Sequence, residues 1–102
     1  MTVEVTDAPG QDRYEARIDG ELVGFAEYRR HDGSITFTHT DVDEAAQGLG
    51  VGAALARHSL DEARAGGRRV HLVCPFYAGW VERHPEYADL VHEESPRLGE
   101  ES

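Results

Sequence analysis

Gln47-Gly48-Leu49-Gly50-Val51-Gly52 sets three glycines at alternate positions directly ahead of a helical pattern. With no side-chain wall, the backbone N–H groups of such a loop can close on an anion. The helix that follows adds unpaired donors and the positive end of its dipole. The expected guest is a phosphate-bearing molecule. Two residues flanking the loop carry further chemistry. His39 precedes it and can act as a general base. Cys74 stands before Pro75 at a helix start that favours the thiolate, where its sulfur can protonate a leaving group or act as a nucleophile. Each also has a plain packing role: cysteine is among the most buried residue types, and His39 continues the face of Ile35 and Phe37.

What surrounds the loop weighs against several phosphate binders. A nucleoside-triphosphate loop needs a lysine and a hydroxyl after its last glycine, and this chain has no lysine. Gly48, Gly50 and Ala53 follow the dinucleotide fingerprint, but Arg68-Arg69-Val70-His71 stands where an acidic residue should meet a ribose. The chain left after the loop is also too short for a second mononucleotide-binding half.

The 102 residues suit one domain. Twenty acidic side chains against ten basic ones give a formal charge of −10, which argues against nucleic acid as a partner. That charge keeps the chain soluble and suits a cationic small molecule or peptide. No apolar run is long enough to span a bilayer and the start does not resemble a signal peptide, so a cytoplasmic location without membrane contact is expected. One cysteine cannot form an internal disulfide, and the six histidines lack ligand spacing, so no metal is expected.

The elements that must position these residues are legible from periodicity. Thr2 to Val5 reads as a short strand, followed by the breaker Asp7-Ala8-Pro9-Gly10. Tyr14 to Ile18 and Glu21 to Arg29 form a hairpin about Asp19-Gly20. After a slightly longer turn at Asp32-Gly33, Ser34 to Val42 alternates Ile35, Phe37 and His39 with Thr36, Thr38 and Thr40. From Val51 the period becomes helical, through Ala54, Leu55 and His58, widened by Ala53, Ala56, Leu60 and Ala63, to a stop at Gly66-Gly67. Val70 to Val73 is a buried strand parallel to Ser34 to Val42. Pro75 starts a second helix, packed through Phe76, Tyr77, Trp80 and Val81 and ended by His84-Pro85. Tyr87, Leu90 and Val91 return to the body as a turn or a strand. The fold class is therefore α/β with a mixed sheet: an antiparallel meander, a β-α-β crossover and a second helix. Residues 1–91 form the domain, and residues 92–102 an acidic flexible tail.

Gln47, Gly50 and Gly52 match the pattern Q-x-x-G-x-G, which resembles the acyl-coenzyme-A pyrophosphate loop of the GNAT superfamily of N-acetyltransferases. The order of elements agrees with that superfamily. His39-Thr40, Val73-Cys74-Pro75 and Arg83-His84-Pro85-Glu86-Tyr87 further resemble its short single-domain members, over roughly Tyr14 to Val91. Larger members carry two helices between their first and second strands and a further strand pair at the end, for which this chain has no room. The resemblance implies acetyl-CoA as cosubstrate and an amine of a small molecule or peptide as acceptor. It implies that backbone groups near Asp41, Val42 and Asp43 receive the pantetheine arm, and that Gln47, Gly48, Leu49, Gly50, Val51, Gly52 and Ala53 surround the pyrophosphate. His39 and Cys74 are then the catalytic candidates, with Tyr77 and Tyr87 as alternative proton donors, Glu44 as an alternative base, and Arg57, Arg68 and Arg69 as candidates for the coenzyme phosphates. The acceptor side is expected to be open or completed by a partner, in a monomer or a homodimer. The other reading is a non-catalytic coenzyme A-binding or protein-interaction module of the same fold.

Overall fold

The computed structural model describes residues 2–92. Its five strands are β1 (Val3–Ala8), β2 (Arg13–Ile18), β3 (Glu21–His31), β4 (Ser34–Val42) and β5 (Arg69–Leu72), paired in sequence order in one sheet. The first four are antiparallel and β5 lies parallel to β4. Helices α1 (Val51–Ala65) and α2 (Pro75–Arg83) follow β4 and β5. The mixed sheet, meander and crossover are those read from the pattern.

The turns are made where the chain can take positive φ. Asp19 and Gly20 have φ of 54° and 82°, and Gly33 has 72°. His31 pairs with Ser34, so the second turn is a two-residue connection, tighter than expected. Other boundaries also move. β1 continues through Asp7 and Ala8, which were expected to break it, because Asp7 faces Tyr14 across the strands and accepts hydrogen bonds from Tyr28 and Arg30. β5 begins and ends one residue early, leaving Val73 66% exposed. The segment after α2 is a short 3-10 helix, Pro85–Leu90, followed by a single parallel bridge from Val91 to Val70. His92, expected to open the tail, donates its N–H to the Val70 carbonyl at 2.8 Å. The rest of the expected tail lies outside the described residues.

Both helices cover the sheet face that carries Tyr14, Ala26, Tyr28, Ile35 and Phe37. Phe37 stacks on Tyr77 of α2 with ring centroids 4.4 Å apart and 13° between planes. The Tyr77 hydroxyl then meets Ser59 Oγ at 2.8 Å and donates to the Leu55 carbonyl at 3.3 Å, tying α2 to α1. Phe76, expected in this packing face, is 37% exposed. Within α1 the buried stripe includes Ser59, while Ala53 is exposed.

The opposite sheet face is polar, as antiparallel sheets covered on one side usually are. On it Arg13 and Arg17 both bond Glu15, holding that carboxyl below its usual pKa, and Arg13 lies over the Phe25 ring. Among the described residues no helix is long and apolar enough to cross a membrane.

Phe37→Ala should lower stability by about 3–5 kcal/mol, since it removes a fully buried ring and the stack that seats Tyr77 against α1. Urea denaturation checks this. A loss below about 1 kcal/mol would mean that α2 is held without the stack.

Candidate functional site

The parting of β4 and β5 creates the site. Their pairing ends at Phe37 and Leu72. There the Phe37 carbonyl accepts from both Val73 N–H at 3.0 Å and Cys74 N–H at 2.9 Å. Beyond that fork β4 runs on to Val42 while the chain turns into α2. The edge of β4 from Thr38 to Val42 therefore has no strand beside it, and its backbone polar groups are available to a ligand.

A groove of about 590 Å³ occupies this gap, between the end of β4, the start of α1 and one side of α2. Every coenzyme residue expected from the sequence lines it except Asp43 and Leu49, which line a separate depression behind the loop. Gly50, at φ 84°, stands at the N-cap of α1, and no side chain caps that helix. The first-turn N–H groups of Val51, Gly52 and Ala53 consequently have no intrahelical acceptor, and all three residues line the groove. Gly24 of β3 seats this helix end: a Cβ there would come within 3.0 Å of Val51 Cγ1 and of the Asp41 carbonyl.

His39 and Cys74 are not brought together. β4 holds an extra residue at Thr38, because Tyr28 faces Phe37 while Glu27 faces His39. This bulge reverses the alternation of the strand. His39, expected on the face of Ile35 and Phe37, instead lies exposed on the polar face, with its ring 6.2 Å from that of Phe25. Thr40, opposite buried Ala26, takes the helix side in its place. Its Oγ1 stands 3.3 Å from Cys74 Sγ. Cys74 is 2% exposed and lies behind Thr40, which lines the groove.

The alternative proton donors and bases lie elsewhere. Tyr77 is buried against α1, and burial above all pushes its phenol pKa up. Tyr87 donates to Asp61 at 2.7 Å, away from the groove, and burial and that carboxylate raise its pKa too. Glu44 is exposed in the 3-10 turn Glu44–Ala46. Arg57, Arg68 and Arg69 do not line the groove, but Arg83 does, together with Phe76, Trp80 and His84. The spacing 76, 80, 83 and 84 along α2 was a readable sign of one helix face. Thr40 had no such sign, because a bulge leaves no mark in the pattern. Among the described residues no group of three or more His, Cys, Asp or Glu side chains could hold a metal.

A family model described as GCN5-related N-acetyl-transferase matches residues 13–90, spanning the groove and the elements that build it. The chain belongs to the GCN5-related N-acetyltransferase family. Solved structures with the GNAT fold agree. A GCN5-like protein from Staphylococcus aureus, determined by NMR, is 19% identical, with 95% of each chain covered and a TM-score of 0.65. Ard1 from Thermoplasma volcanium is 22% identical over 76% of this chain and 55% of its own, with a TM-score of 0.57. A GNAT-family protein from Desulfovibrio desulfuricans is 24% identical over 74% of this chain and 52% of its own, with a TM-score of 0.53. This chain thus spans little more than half of the latter two. No curated protein sequence matches it.

Gly50→Ala should cost about 1–2 kcal/mol through its left-handed backbone, since open space surrounds its Cβ position. A shift in urea midpoint at constant slope would show this. An unchanged midpoint would mean that the GNAT loop relaxes to negative φ at no cost.

Proposed function

We propose that this protein is an acetyl-CoA-dependent N-acetyltransferase that moves an acetyl group to an amine of a small molecule or peptide. The observation that carries the reading is the coincidence of two unsatisfied backbone surfaces in one groove: the free edge of β4 and the uncapped start of α1. An extended amide-bearing arm suits the first and a pyrophosphate suits the second. In this reading Asp41, Val42 and Asp43 serve the pantetheine arm, and residues 47–53 surround the pyrophosphate. The lining of the groove supports that assignment less for Asp43 and Leu49 than for the others. A cytoplasmic setting goes with it, as a lone reduced thiol beside the site suits a reducing compartment.

The bound thioester would supply an activated acetyl group. An acceptor amine holds its proton with a pKa of ~10, so a base must remove it. His39, exposed on the polar face one residue before Thr40 of the groove, is assigned as the base for an amine arriving there. The free nitrogen then bonds to the carbonyl carbon while the carbon–sulfur bond breaks. Cys74, whose hydrogen-bond partner at the groove is the Thr40 hydroxyl, is assigned to the leaving side. It gives its proton to the departing thiolate and regains one from solvent, or accepts the acetyl group itself before the amine does. The exposed acidic surface favours a cationic acceptor.

The second reading, a coenzyme-binding module without turnover, draws support from the separation of His39 and Cys74 onto opposite faces. Calorimetric titration with acetyl-CoA is expected to give micromolar binding, about −8 kcal/mol at one micromolar. Ala53→Glu sets a carboxylate in the first turn of α1. It should leave the fold as stable or slightly more so, by about 0.3–1 kcal/mol, yet weaken coenzyme binding severely. Unchanged affinity would remove the loop from the site. Coenzyme A release against a panel of amines separates the two readings, since absence of turnover on every acceptor leaves the module. With turnover present, an acetyl adduct in the intact mass that disappears in Cys74→Ser would select the covalent route.

A further inference from the structure

The groove runs lengthwise along α2. Phe76, Trp80, Arg83 and His84 line it from that helix and its end, while Thr40 lines it near Cys74 at the helix start. At 1.5 Å per helical residue, Phe76 and His84 are separated by roughly 12 Å along the axis. The two ends of the groove are chemically different. The Thr40 end carries hydroxyl and, behind it, thiol. The other end holds the basic side chains Arg83 and His84, in a protein of formal charge −10.

Arg83 differs from the arginines that other side chains hold. Arg13 and Arg17 are tied to Glu15, Arg30 to Asp7 and Arg64 to Asp89. Arg57 lies over the rings of Trp80 and Tyr87. Arg83 is exposed at the groove and makes no ion pair among the described residues. His84 beside it is held in place: its ring stacks on Trp80 at 3.8 Å with 13° between planes, and its Nδ1 lies 2.8 Å from the Trp80 carbonyl. A carbonyl oxygen only accepts, so Nδ1 carries a proton; Nε2 is the nitrogen left for other partners and donates to a phosphate oxygen in the imidazolium form.

We propose that Arg83 and His84 form a second anion subsite that takes the 3′-phosphate on the ribose of acyl-coenzyme A. The subsite rests on the acetyl-CoA reading above and deepens it. The coenzyme has two anionic centres, the pyrophosphate and the ribose phosphate. The uncapped start of α1 provides for one through backbone donors, and the basic end of the groove provides for the other through a guanidinium fork suited to phosphate. The consequence is specificity for the carrier of the acyl group. Free acyl-coenzyme A bears the 3′-phosphate; dephosphocoenzyme A and the phosphopantetheine arm of an acyl-carrier protein lack it.

Dissociation constants for coenzyme A and 3′-dephosphocoenzyme A, measured by calorimetry on the wild-type chain and on Arg83→Gln, test this. The wild type should prefer coenzyme A by about tenfold or more. Arg83→Gln should bind both ligands with nearly the affinity the wild type shows for the dephospho form, and Arg29→Gln, an exposed change outside the groove, should keep the wild-type preference. Equal binding of the two ligands by the wild type would overturn the subsite alone, as would equal weakening of both in Arg83→Gln. Absence of binding of either ligand to the folded wild type would instead overturn the coenzyme reading, and the subsite with it.

Discussion

The carbonyl of Phe37 is the point on which the arrangement turns. By accepting two successive N–H groups, from Val73 and Cys74, it uses both lone pairs and leaves the chain beyond it with no ladder to continue. Pro75 reinforces the departure, since it lacks a donor and is already suited to the first turn of a helix. The side chain of the same residue anchors the fork from below through its stack on Tyr77, worth about 0.5–1.5 kcal/mol beyond burial. One residue thus ends a strand pair and holds the helix that replaces it, at the point where the groove begins.

The bulge at Thr38 works on the same few residues in a different way. An extra residue in one strand exchanges inside for outside for everything after it. Without it His39 would face the helices beside Cys74. With it the hydroxyl of Thr40 occupies that place, and the imidazole is set on the polar face opposite Glu27. A sheet one layer thick then carries the imidazole on one side and the hydroxyl and thiol on the other.

An acidic protein with the proposed anion-binding groove is not a contradiction. Exposed charges are screened over about 8 Å at physiological salt, so the overall −10 acts weakly at a groove whose local field is set by unpaired N–H groups, a helix dipole and Arg83. The absence of lysine makes each arginine at such a site more consequential, because carboxylates elsewhere already hold four of the ten guanidinium groups in place.

What the sequence determined by itself is what local rules govern. The hairpin turns at Asp19-Gly20 and Gly33 follow from the need for positive φ, the helix at Val51 from the change of period, and the open backbone at its start from the glycines placed before it. Together these were enough to recognise the family fold and the loop. Only the tertiary structure decided which side chains share the groove. The face of His39 depends on a pairing register with β3, and the place of Arg83 depends on how α2 lies against α1. Both are set by contacts between segments distant in the chain, and the energies of such contacts leave no periodic trace in either segment alone.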